Sequence, residues 1–267
     1  MLLADQVALL LLDGRGGRRL SARAAGTVLA GALLSELVLL RRLGADPDTG
    51  VLRVRPGPAL EPRLAAALAA VTDSGGDTAR SVRALAAAAP WDDAVATLAK
   101  TGALRTEKRR RFLVLTSVRW FPRKGSVVGL QTRLRTALTA ARKPARARAV
   151  DPATVSLAVL LAGTAALRWV VPDLPRGLDA DDAAEVLAGA RRLDPEFQGA
   201  LEDLESAVSV RAGAWSSDGD SSDWASGDGG GHHHGGHHDG HHGGWDGGSD
   251  GGSDGGGGDG GGGGGGD

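Results

Sequence analysis

The stretch LAGALLSELVLLRRL, Leu29–Leu43, decides how the rest of the chain is read. Its Leu29, Leu33, Leu37 and Leu40 recur at helical spacing, which predicts a core-facing stripe on one helix. Upstream, Ser21 is suited to accept the first free amide of that helix, and downstream Gly44 stands where a left-handed cap is wanted. A helix from Ser21 to Leu43 follows.

Outward from this helix the pattern stays helical. MLLADQVALLLLDG predicts a buried helix from Leu2 to about Leu12, ended by the glycines of DGRGGRR. It has no basic leader or small-residue cleavage site, and Asp5 and Gln6 interrupt it, so it does not read as a signal peptide. ADPDTG reads as a turn, VLRVR as a short strand and Leu60 to Val71 as a helix. Thr78 is expected to cap a helix that Pro90 ends, and Asp92 opens another that stops at Gly102.

At KTGALRTEKRRRFLVLTSVRWFPRKG, Lys100–Gly125, the period changes from helical to alternating. Arg111, Leu113, Leu115 and Ser117 share one face of a strand, and Phe112, Val114 and Thr116 the other. A β-hairpin turning around Glu107–Arg110 is predicted, closed by Pro122 and Gly125. Ser126 to Arg142 follows as a basic amphipathic helix, Asp151 and Pro152 start a helix reaching Trp169, and two more helices occupy Asp179–Val210. The fold class is therefore mainly α: a single compact helical domain over residues 1–210, with one or two small β-hairpins. The nearest approach to a membrane span, Ala153–Leu167, is short of the roughly 18 apolar residues required and holds Ser156 and two threonines.

Residues 211–267 differ in kind. These 57 residues hold 26 of the 43 glycines, all seven histidines and ten aspartates, and little that is apolar besides Trp215, Trp224 and Trp245. Such a composition cannot offset the entropy of ordering, so a disordered low-complexity tail is expected. Its His232, His233, His234, His237, His238, His241 and His242 read either as a low-complexity extension whose metal binding is incidental or as a flexible, nonspecific metal-binding run.

Charge is divided along the chain. The formal net charge is −1, but residues 1–210 carry 30 basic and 22 acidic groups, and Lys100–Ala149 carries 15 basic groups with Glu107 as the one acid. Crowding of that kind is tolerated when the charges are solvated or meet an anionic partner. Catalysis has little support. Every histidine lies in the tail, there is no cysteine, and Asp92–Asp93 and Asp181–Asp182 sit at helix starts, where they complement the dipole. GRGGRR lacks the spacing of a phosphate-binding loop. The chain reads as a binding protein, not an enzyme, and no cofactor is implied.

Two anionic partners compete. A helix followed by an arginine-rich hairpin is the layout of a winged helix, so a nucleic-acid-binding protein using the hairpin is one reading. A membrane surface is the other. Arg119, Trp120, Phe121, Arg123 and Lys124, then Arg133 and Arg135, supply both cations for phosphates and an aromatic group for the interface, on what reads as a surface turn.

The segments LLADQVALLLLDGRGG, LAGALLSELVLLRRL, LAKTGALRTEKRRRFLVL, LQTRLRTALTAAR and VSLAVLLAGTAAL, in this order, resemble the Golgi phosphoprotein 3 family of peripheral membrane proteins. Gly31, Leu34, Glu36, Leu37, Arg42 and Leu43, with Gly102, Leu104 and Glu107, carry the resemblance most specifically. It implies a mainly helical domain that binds phosphatidylinositol 4-phosphate through a basic pocket, on the cytoplasmic face of the Golgi membrane, and acts as an adaptor for protein clients. The family's pocket arginine after the hairpin falls on Arg133; its tryptophan falls near Ser21 and another arginine on Ala30, so the pocket is only partly kept. Arg19 and Arg23 stand close enough to Ser21 in sequence to compensate. The family's oligomerising hairpin corresponds to the short KPARARAVDP, which leaves a homo-oligomer open. Arginine outnumbers lysine 27 to four, as expected of a GC-rich genome; a bacterial, actinobacterial member would sit on the plasma membrane instead.

Overall fold

The computed structural model describes residues 1–88, 90–111 and 115–217. Residues 211–217, expected to open the disordered tail, instead continue the last helix; 218–267, with the histidine run, lie outside the described residues, as do Phe112, Leu113 and Val114 of the predicted strand. Eleven helices and two antiparallel two-stranded sheets make up the described chain, so the architecture is mainly α, as its periodicity implies.

Helix α1 (Leu3–Leu11) is buried along its whole length, and α2 (Ala22–Leu39) is enclosed by elements on nearly every side. From Ala24 to Val38 only Glu36 escapes full burial, so α2 is a central helix and not the one-faced helix its leucine stripe predicts. Leu40, the last leucine of that stripe, is exposed. By length and hydropathy α2 could also cross a bilayer, but 78% of it is buried inside the protein, as in the core helix of a globular domain.

Ser21 caps α2 as expected, its Oγ accepting from the Ala24 amide at 3.2 Å. The C-terminal end is different. Arg41 takes the left-handed conformation (φ 57°) and the Arg42 amide donates to the Leu37 carbonyl at 2.8 Å, so the helix stops before Gly44. The cost of that conformation for a non-glycine residue, about 1–2 kcal/mol, is offset where Arg41 stacks over Phe197 and pairs with Asp194. Gly44 instead lies in β1 (Leu43–Ala45), opposite Arg53 of β2 (Leu52–Val54).

Helices α3 (Pro62–Asp73), α4 (Thr78–Ala87) and α5 (Pro90–Lys100) follow. The cap of α4 is Asp77 and not Thr78: its Oδ1 accepts from the Arg80 amide at 2.7 Å. The hairpin is also longer than predicted. Strand β3 (Leu104–Arg111) pairs with β4 (Leu115–Pro122), and Glu107 faces Arg119 in mid-strand, so the turn expected at Glu107–Arg110 is not there. An arginine run carries no residue suited to turn dihedrals, whereas extended backbone separates its charges.

After α6 (Lys124–Ala140) and the short α7 (Pro144–Ala147), α8 (Pro152–Ala162) begins at the Asp151 cap as expected. It does not reach Trp169. Ala165 turns left-handed (φ 52°), the Ala166 amide reaches back to the Leu161 carbonyl at 2.9 Å, and α9 (Leu167–Val170) starts afresh. Helix α10 (Ala180–Ala190) leads to α11 (Pro195–Ser217), which continues beyond Val210.

Gly31 sets how closely α11 and α8 approach α2. A Cβ at this position would collide with Val208 Cγ2 and stand 3.2 Å from Leu160 Cδ2. Gly31→Ala therefore loses more by overpacking, about 1–3 kcal/mol, than the roughly 0.5–1 kcal/mol it gains in helix propensity. Urea denaturation should show a net loss, and Val208→Ala in the same chain should cost less than the two single changes added together.

Candidate functional site

DGRGGRR, between α1 and α2, folds back on the hairpin. Asp13 Oδ1 accepts from the Arg15 and Gly17 amides at 2.8 and 2.7 Å, which closes the turn. The Gly16 carbonyl then accepts from the Trp120 amide at 3.3 Å, and Arg119 Nη1 donates to the Arg15 carbonyl at 2.8 Å. Gly16 is required there. With φ at +79°, a Cβ would come within 3.1 Å of both the Trp120 nitrogen and Phe121 Cζ.

This contact corrects the surface-turn expectation for Trp120 and Phe121. Both belong to β4 and both are half-buried; Trp120 packs against the core, and Phe121 lies under the Arg105 guanidinium at 5.6 Å. An aromatic pair next to a proline and three cations looks like a loop in sequence, but here its alternation follows the strand.

The chain leaves the hairpin at Arg123, whose amide donates to the Ala103 carbonyl at 3.0 Å, and Lys124 begins α6. Leu130, Leu134, Ala137 and Leu138 bury one face of that helix. On one flank the Arg133 guanidinium donates to Gln6 Oε1 of α1. On the other, Gln131 Nε2 donates to the Val170 carbonyl at 2.9 Å, Arg135 pairs with Asp173 at 3.3 Å, and Arg142 reaches the Arg176 carbonyl at 2.9 Å. Residues two apart on a helix point about 200° apart, so Arg133 and Arg135 occupy opposite shoulders of the exposed face. The expected single cluster is divided. Arg123 stands at the cap where α6 leaves the hairpin and Arg133 on the flank toward α1, whereas Arg135 is engaged with an acid on the far side.

Arg19 and Arg23 belong to another part of the surface. Arg19 is half-buried, with Nε donating to the Leu12 carbonyl at 3.3 Å, and Arg23 is exposed in the first turn of α2. No contact among the described residues joins Arg19 to Arg133. At the two positions where the resemblance loses its pocket, this chain has structural residues: the Ser21 hydroxyl caps α2, and Ala30 is fully enclosed.

Arg15, Arg18 and Arg105, outside the predicted site, gather near the loop beside Arg119, which is part of it. Arg18 sits 5.7 Å over the Trp91 ring, and Arg15, Arg105 and Arg119 surround the junction of the loop with the hairpin. Their signal in the sequence was Gly16, a glycine required for close approach and not merely for a turn. Gln6, which orients Arg133, was read only as an interruption of an apolar helix. Helix α5, in the position of a recognition helix, exposes Asp92 and Asp93 in its first turn, which disfavours nucleic acid.

No curated protein matches the chain. A sequence model described as Golgi phosphoprotein 3 (GPP34) matches residues 3–209, from α1 into α11, and the chain belongs to that family.

Proposed function

We propose that this protein is a peripheral membrane protein that binds anionic phospholipid headgroups, phosphoinositides among them, through the hairpin exit and the exposed face of α6. The observation that carries the reading is the placement of Arg133, exposed and oriented by Gln6, in a segment from Arg119 to Val150 that holds nine Lys or Arg and no acid. Membership of the Golgi phosphoprotein 3 family supports it. Arg123 and Lys124 extend this surface at the start of α6, Trp120 supports the hairpin beneath it, and Arg19 and Arg23 add a separate basic area at the start of α2. Each cation near an anionic leaflet contributes about 1 kcal/mol, so the attachment is reversible and falls with salt.

The role that follows is binding, not catalysis: an adaptor on the cytoplasmic face of a membrane, the Golgi in eukaryotic members and the plasma membrane in a bacterial one. The helical domain, which α11 extends to Ser217, carries this activity. With structural residues at Ser21 and Ala30, binding depends on charge more than on one headgroup.

Co-sedimentation of the full chain with vesicles tests the proposal. Neutral vesicles should leave the protein in solution, while phosphatidylglycerol-containing vesicles and vesicles doped with phosphatidylinositol 4-phosphate should carry it down at low salt. Arg123→Ala/Arg133→Ala should lower the affinity about thirtyfold, as expected for two cations near an anionic surface. Absence from every pellet, or binding to duplex DNA in its place, would overturn the reading.

A further inference from the structure

Pro144 and Ala147 of α7 face Val186 and Gly189 of α10 across a groove of about 330 Å³, to which no residue of α6 contributes. Val186 is half exposed, and a Cβ built on Gly189 would meet no atom within 4 Å, so the groove is open along α10. Arg148 and Arg192 flank it, both exposed. Among the described residues neither guanidinium has a hydrogen-bond or ion-pair partner.

Arg191 separates the chemistry of the groove from that of the core. Its guanidinium turns inward to Glu205 and Ser156, leaving only the outer part of the residue at the groove wall. The two charges open to the groove are therefore Arg148, in a segment that also holds Lys143 and Arg146 and no acid before Asp151, and Arg192, whose neighbour Asp194 is paired with Arg41. A carboxylate is satisfied by one guanidinium fork, whereas a phosphate has enough acceptor oxygens to serve two. The volume lies at the lower end of the roughly 300–1,000 Å³ of small-molecule sites, which suits a single headgroup. Val186 and Ala147 supply an apolar wall for its carbon skeleton.

We infer that this groove is a second anion site, distinct from the α6 surface, that takes one phosphate group carried on a small polyol, with Arg148 and Arg192 as its ligands. The phosphate can come from a free metabolite or from a phospholipid headgroup, and the experiment separates the two.

Full-length protein labelled with ¹⁵N is titrated with glycerol 3-phosphate, and the same protein is tested against phosphatidylcholine vesicles containing phosphatidylglycerol. Amide shifts centred on Ala147, Gly189 and Arg192, with an affinity about tenfold or more weaker in Arg148→Gln/Arg192→Gln, support the site and assign it a soluble ligand. Weaker vesicle binding by this double variant, without shifts from the soluble probe, supports it as a headgroup site. Both side chains are exposed, so the variant should melt with the wild type, which separates loss of binding from loss of fold. No shifts at those amides together with unchanged vesicle binding overturns the inference. Arg133→Ala should leave the groove shifts intact, so failure of the α6 reading would not be mistaken for failure of this one.

Discussion

Arg191→Ala should lower the free energy of unfolding by about 3–5 kcal/mol, one of the two largest effects expected of a single substitution in this domain. The guanidinium is fully enclosed and makes paired hydrogen bonds to Glu205 at 2.7 and 3.1 Å, another to Ser156 at 3.1 Å and one to Gln198 at 3.3 Å. Truncation leaves the Glu205 carboxylate in the core without its counter-ion. The loss is a large share of the roughly 5–15 kcal/mol that holds a typical domain together.

The pH dependence of this cost has a definite sign. Burial already pushes the Glu205 carboxyl above its ordinary range, against the pull of Arg191, and removing Arg191 raises it further. A carboxyl with a raised folded value binds its proton more tightly in the native state, so stability is lost as pH rises through that value and regained as pH falls toward the ordinary glutamate range. Urea midpoints of Arg191→Ala should thus approach the wild type at pH 5 and fall away at pH 7. Replacing both partners by apolar residues, Arg191→Met with Glu205→Leu, should recover most of the loss at pH 7, because no charge is then left in the core. A cost below about 1 kcal/mol at pH 7 would mean that water reaches the pair.

Elements whose signals are local were legible in the sequence. The caps at Ser21 and Asp151, the helical stripes and the arginine-rich hairpin all appear where short-range chemistry places them. What could not be read depends on partners distant in sequence. Arg41 adopts a glycine conformation because Phe197 and Asp194 hold its side chain, so the end of α2 was invisible from Gly44. Ala165, not a glycine, supplies the left-handed turn after α8, beside Gly163, where a Cβ would stand 3.1 Å from Ser209 Cβ. The same limit applies to the site. Arg133 was identifiable by type and position, but its orientation by Gln6 and the opposite placement of Arg135 follow from how α6 lies between α1 and the chain after α9. The burial of Trp120 and Phe121 is invisible in the sequence because the core under Trp120 and the Gly16 loop beside Phe121 come from distant segments.

Leu134→Ala should cost about 2–5 kcal/mol, the other large single effect, and it separates the scaffold of α6 from its surface. Leu134 is fully buried between Arg133 and Arg135 in sequence and lies on the face that seats the helix against the core. Its truncation leaves a void that α6 can collapse into only by tilting, which would move both arginines. Arg133→Ala removes an exposed group whose hydrogen bond goes to a glutamine, and its effect on stability should stay near 0.5–1.5 kcal/mol. Vesicle binding should respond the other way round. Arg133→Ala should weaken attachment at unchanged cooperativity of unfolding, whereas Leu134→Ala, measured well below its own melting transition, should retain most of its affinity, because its cations remain on the same helix. If Leu134→Ala loses binding as completely as Arg133→Ala while still folded, the spacing of α6 from α1 is itself part of the recognition surface, and the Arg133–Gln6 contact is what maintains it.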